Sequence, residues 1–220
     1  MEFSKQIPRI LIMGMLLLGT GALLLGCEND ELEKIGETAG ELEDTRLETV
    51  EELNLLLEQE GELQTRFEET MEEDDDLTSF NDGSASVFEN LALRREGLER
   101  LKELEEAYTV HGSTLREYDG GQLDEDPLGS LGEEVDGFSK TLGEFRSEYS
   151  RNLEEQQDYF EGLADEETTY DDFRDGIEEL NAQHQELREY FYEMDEGLRL
   201  LGREIGALQG TLEELQEIEE

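Results

Sequence analysis

From Phe173 onward the chain sets an apolar side chain at Ile177, Leu180, Leu187, Phe191, Met194, Leu198, Leu201, Ile205, Leu208, Leu212 and Leu215. His184 fills the one remaining position, so steps of four and three alternate without a break. A period of 3.5 residues puts one stripe on one side of an α-helix, whereas a strand needs a period of two. Sustained over so many turns, it predicts a left-handed seam against other helices. A helix of about 45 residues is roughly 65 Å long, so the molecule is expected to be elongated.

Three further stretches carry related patterns. The first runs from about Leu32 to Met71, through Ile35, Ala39, Leu42, Val50, Leu53, Leu57, Leu63 and Phe67, with Arg46 and Glu60 interrupting it. The acidic run 72–76 and Asn81-Asp82-Gly83-Ser84 predict a break, because like charges and turn residues favour solvent and irregular backbone. A second helix is expected from Ser86, where Ser86-Val87-Phe88-Glu89 reads as a capping box. Its stripe is Val87, Leu91, Leu98, Leu101, Leu104, Tyr108 and Leu115, and Asp119-Gly120-Gly121 ends it. Asp126-Pro127 reads as an N-cap followed by proline at the first helical position. The third stripe then runs through Leu128, Leu131, Val135, Phe138, Leu142, Phe145, Tyr149, Leu153, Phe160 and Leu163.

Apolar residues make up 35% of the chain and charged ones 36%, with no Trp, which is thin for an ordinary core. Pairing of amphipathic helices is how such a chain can fold. The fold class is therefore all-α: an elongated antiparallel bundle or coiled coil of three to four long helices. Glycines inside the helices, among them Gly97, Gly143 and Gly197, each cost about 1 kcal/mol relative to alanine. Gly202, Gly206 and Gly210 share one flank, which reads either as a close-approach face or as local softness.

Acidic residues number 62 and basic ones 17, a net charge of -45, which excludes charge-driven binding of nucleic acid or anionic head groups. Lysine occurs only at Lys5, Lys34, Lys102 and Lys140. An acidic, lysine-poor surface fits a halotolerant protein, since salt shortens the Debye length to about 3 Å at 1 M. It fits equally a solvated face that keeps an elongated protein soluble.

Lys5 and Arg9 precede the uncharged apolar run 10–25, and Glu28, Asp30 and Glu31 follow it. This is the pattern of a signal peptide; the run is shorter than the roughly 20 residues of a comfortable membrane span, which is the second reading. Leu24-Leu25-Gly26-Cys27 resembles the lipobox of bacterial lipoproteins, with an apolar residue three before the cysteine and a small one just before it. That resemblance implies a signal peptide over 1–26, diacylglycerol and a possible N-acyl group such as palmitate on Cys27, a lipidated tether over 27–31 and a bundle domain over 32–220. Two or three acyl chains give stable anchoring where one is marginal. Alone, Cys27 could also be a buried small hydrophobe or an intermolecular disulfide partner, but its position after the apolar run favours lipid.

No catalytic residue is assigned. Carboxylates are too abundant for any pair to be informative, and no nucleophile elbow, phosphate loop or Cys-His cluster is present. No metal site or cofactor is expected beyond the covalent lipid: His111 and His184 sit near helical stripes, not in ligand spacings, and the run 72–76 lacks an EF-hand pattern. Tyr190-Phe191-Tyr192 reads mainly as a widened core stripe, with stacking on sugars or proteins as the alternative.

With the lipobox, the stretch Asn90-Leu91-Ala92-Leu93-Arg94-Arg95-Glu96-Gly97-Leu98 and the run His184-Gln185-Glu186-Leu187-Arg188-Glu189-Tyr190-Phe191-Tyr192, the chain resembles the YkyA family of cell-wall-binding lipoproteins of Gram-positive bacteria. The resemblance covers nearly all of it and implies a membrane-anchored, extracytoplasmic wall-binding module, not an enzyme, with no nucleic acid and no small-molecule substrate. This chain is poorer in lysine and far more acidic than that family. Anionic wall polymers would be repelled, so divalent cations or an envelope protein would mediate contact. A chaperone-like or regulatory adaptor that holds a client protein on a helical surface is the alternative.

Overall fold

The computed structural model describes residues 22–74 and 76–219, with side chains from Asp30 onward except at positions 126 and 219. Four long helices, α1 (Ala22–Glu73), α3 (Ser86–Arg116), α4 (Glu125–Gly162) and α5 (Tyr170–Glu219), are joined by short connections. The first of these contains a single-turn helix, α2 (Thr78–Asp82). Among the described residues there is no strand.

Cross-helix bonds give the packing order. Along α1 and α3, Thr45 meets His111, Thr49 meets Tyr108, Glu52 meets Arg100 and Gln59 meets Asn90, so the two run antiparallel. Antiparallel α4 follows, with Thr109 on Ser139, Glu105 on Arg146 and Arg94 on Gln156. Helix α5 returns between α4 and α1: Tyr159 Oη donates to the Phe173 carbonyl, and Gln209 Nε2 donates to the Ala39 carbonyl. The result is an up-down-up-down four-helix bundle. The start of α1 and the end of α5 lie at the end that carries the connection 117–124. Connections 74–85 and 163–169 form the opposite end.

The third stripe is inward throughout: all ten residues from Leu128 to Leu163 named above are buried. In α1 the seam is longer than its apolar residues suggest. Between Leu42 and Leu53 it passes through Thr45 and Thr49, both buried. Each threonine hydroxyl donates to the carbonyl four residues back, which lets a hydroxyl occupy an inward position without losing a bond. Leu56 takes the inward place and Leu57 faces solvent, a correction to the expected stripe.

Helix termini also differ in detail. Ala85, not Ser86, is the N-cap of α3, and the Ser86 hydroxyl donates to the Arg66 carbonyl of α1 instead. Glu89, freed from a capping role, pairs with Arg66 at 3.0 Å. Helix α4 begins two residues earlier than expected, with Asp124 as N-cap. Pro127 then sits at the third position, where the helix asks for no amide bond. The break after α1 is partly ordered by α2, entered through Leu77 at φ 53 and left through Gly83 at φ 78, which carries a fully buried Phe80 onto Phe67 and Phe160. Asp74 accepts the Ser79 N–H at 2.6 Å, and that hydrogen bonding lowers its carboxyl to about 2.

Close approach of helices through glycine falls between α3 and α4. A methyl at Gly132 would stand 2.9 Å from the Gly112 carbonyl oxygen. On the flank singled out in the sequence, only Gly202 has a neighbour, the Arg46 guanidinium, while Gly206 and Gly210 face open space.

Candidate functional site

Toward the end formed by connections 74–85 and 163–169, all four seams turn polar at the same height. The first contributes Glu60, whose side chain is 6% exposed. Helix α3 contributes Asn90 and Arg94, α4 contributes Asn152 and Gln156, and α5 contributes Gln183; all five are buried. Arg94, only 1% exposed, donates from Nη2 to Gln156 Oε1 at 2.7 Å. Asn90 Nδ2 donates to the Gln59 carbonyl at 2.6 Å, and Gln183 Nε2 donates to Glu155. His184, expected on the seam, is instead half-exposed: the helix is turned so that Gln183 points inward, and His184 Nδ1 reaches Glu60 Oε2 at 3.4 Å from the flank.

The physical reason for this rotation is the composition of the layer. A buried carboxylate on α1 needs a polar or cationic partner from α5, and an apolar residue there would leave it uncompensated. Arg94 Nε, Gln183 Oε1 and both amide atoms of Asn152 have no hydrogen-bond partner among the described residues. Burial pushes the Tyr149 phenol well above its ordinary value, reinforced by Glu60 and opposed by Arg94. Glu60 raises the His184 imidazole above its ordinary value against partial desolvation and the nearby Arg188 and Arg94.

His111 belongs to a second, smaller polar station nearer the shared-terminus end. Its Nε2 lies 3.3 Å from Thr45 Oγ1, and burial lowers its imidazole below the ordinary value, with Glu41 opposing. Beside it, the Thr49 and Tyr108 hydroxyls are 3.1 Å apart. A groove of about 670 Å³ lies between α1 and α3, lined by Thr45 of this station, by Leu55, Leu104 and the Arg100–Glu52 pair, and by Glu48, Glu51 and Glu103. Among the described residues no group of three His, Cys, Asp or Glu is placed to hold a metal ion.

Tyr190 and Phe191 pack against Phe145, with ring centroids 6.2 and 5.1 Å away, so the aromatic triplet is mostly core. Tyr192 is exposed and lies under the Arg188 guanidinium. The expected signal peptide falls outside the described residues up to position 21; the remainder, like Cys27, belongs to α1, and the Cys27 side chain lies outside the description. Among the described residues no helix is long and apolar enough to cross a membrane.

Fold and polar layer together define the class: an acidic, antiparallel four-helix bundle whose internal polar groups join helices. The sequence profile described as "Putative cell-wall binding lipoprotein" matches residues 30–200, and the chain belongs to that family, YkyA. No curated protein and no solved structure matches the chain significantly. The family description, a lipoprotein that binds the cell wall, associates its members with the cell envelope.

Of the layer, Glu60 stands in the sequence as an interruption of the first stripe and His184 as a seam position, whereas Arg94, Asn152, Gln156 and Gln183 are no part of the apolar stripes. A signal was present: the apolar steps lapse to seven between Leu91 and Leu98 and again between Leu153 and Phe160, with Arg94 and Gln156 in the gaps.

Proposed function

We propose that the chain is a lipoprotein tethered to the outer face of the cell membrane through acylated Cys27, and that its bundle is a strut that meets the wall, or a wall-associated protein, away from the membrane. The observation that carries this reading is the placement of the α1 start within a bundle whose other end is formed only by connections 74–85 and 163–169. From Asp30 to Glu73, α1 alone projects roughly 65 Å. Such a strut acts by contact and performs no reaction of its own.

A net charge of -45 opposes direct adhesion to polyanionic polymer. Contact is therefore bridged by divalent cations or made to a protein partner, and the leucine-floored, acid-rimmed groove between α1 and α3 favours the protein. Co-sedimentation with purified peptidoglycan, with and without Ca²⁺, separates these: retention only with Ca²⁺ supports bridging, and no retention in either condition directs the search to protein partners. Metabolic labelling with a fatty acid tests the anchor. Label is expected on the native chain and absent from Cys27→Ser, and equal labelling of both would refute the tether.

A further inference from the structure

The apolar contact that holds α5 is uneven along its length. Leu187, Met194, Leu198, Leu201, Ile205 and Leu212 are buried, whereas Phe173, Ile177 and Leu180 are only half-buried. The free energy of local opening follows the apolar contact that opening would break, so the first part of α5 is the more easily released. Its contacts are the Phe173–Phe67 ring pair at 6.2 Å, the Phe173 carbonyl accepting from Tyr159 Oη at 3.1 Å, Gly176 against the Tyr159 ring, and the bond from buried Gln183 to Glu155.

At the boundary between these two parts stands the contact of His184 with Glu60. The charged and titratable groups around it come from every neighbouring helix. Glu60 approaches from α1, Arg94 from α3 and Arg188 from α5 itself. On α4, Tyr149 faces Glu60, and Glu155 holds the adjacent Gln183. Glu60 is the one carboxylate among them in contact with the imidazole, and it is almost completely desolvated. An ion pair with a desolvated partner is more sensitive to loss of its other charge than one in water.

We propose that the Glu60–His184 contact is a proton-sensitive latch on the first part of α5: with His184 protonated, residues 170–184 stay docked on α1 and α4, and with His184 neutral that segment opens more often while the rest of the bundle stays folded. In the docked state Glu60 raises the proton affinity of the ring, and undocking returns the ring to water and to its ordinary value near 6.5. Docking therefore takes up protons. Its stabilisation is complete below the ordinary value and is lost as pH rises through the docked-state value. Opening uncovers Phe67 and Tyr159, so alkaline conditions present aromatic side chains more often at the end formed by connections 74–85 and 163–169.

Hydrogen exchange of the full chain in detergent between pH 5.5 and 8.5, corrected for intrinsic rates, reads this directly. Protection of amides in 173–187 is expected to fall on the order of threefold as pH rises, while those in 90–105 keep theirs. His184→Gln, at a half-exposed position that the fold tolerates, and Glu60→Gln are each expected to abolish the pH step. Absence of the step in the native chain, its persistence in His184→Gln, or an equal loss of protection in all four helices would each overturn the latch.

Discussion

Arg94 shows how much a single side chain departs from its surroundings. It lies on the α3 seam where the heptad asks for an apolar residue, is buried, and satisfies only part of its guanidinium through Gln156. Removing Arg94 leaves the buried Gln156 carbonyl oxygen without its donor, so Arg94→Ala is expected to lower unfolding free energy by about 1–3 kcal/mol in urea titration. At this scale the sequence was only partly legible: Glu60 and Arg94 stand far apart in the chain, and neither residue type at a seam position reveals that it has a partner.

Helices show the reverse balance. Their existence, number and approximate ends followed from the 3.5-residue period, because a stripe of that spacing has no other low-energy solution. Errors concentrate at termini, where Ser86 and Asp126 resemble caps but the caps are Ala85 and Asp124. Helix α2 was not foreseen at all, since Phe80 is held by rings from α1 and α4 and not by any local periodicity. Glycines carry the prediction that belongs to elements. A methyl at Gly206 or Gly210 meets nothing within 4 Å, so Gly206→Ala and Gly210→Ala are each expected to stabilise α5 by about 1 kcal/mol in thermal melts. At Gly97 the same methyl would stand 2.8 Å from Leu56 Cδ2, and Gly97→Ala is expected to destabilise by roughly 1–3 kcal/mol, since the neighbour has to move.

For the whole molecule, charge is the dominant property. A bundle with a net charge of -45 repels itself, and most of the cations among the described residues are already matched to nearby carboxylates, such as Arg46 to Glu43 and Arg174 to Asp171 and Asp175. Added salt screens the repulsion over distances at which paired contacts persist, so the melting temperature is expected to rise between 0.05 and 1 M NaCl. A flat or falling curve would assign the acidity to solubility alone. The amino-acid sequence by itself determined an all-α, acidic chain of long amphipathic helices, because periodicity and charge are properties of the chain read one helix at a time. Only the tertiary structure decided which helix neighbours which, that both described ends of the chain lie together, and that Glu60, Arg94, Gln156 and Gln183 share one layer. A seam states that a face is covered without stating by what, and residues distant along the chain come to one height only when antiparallel packing sets the register.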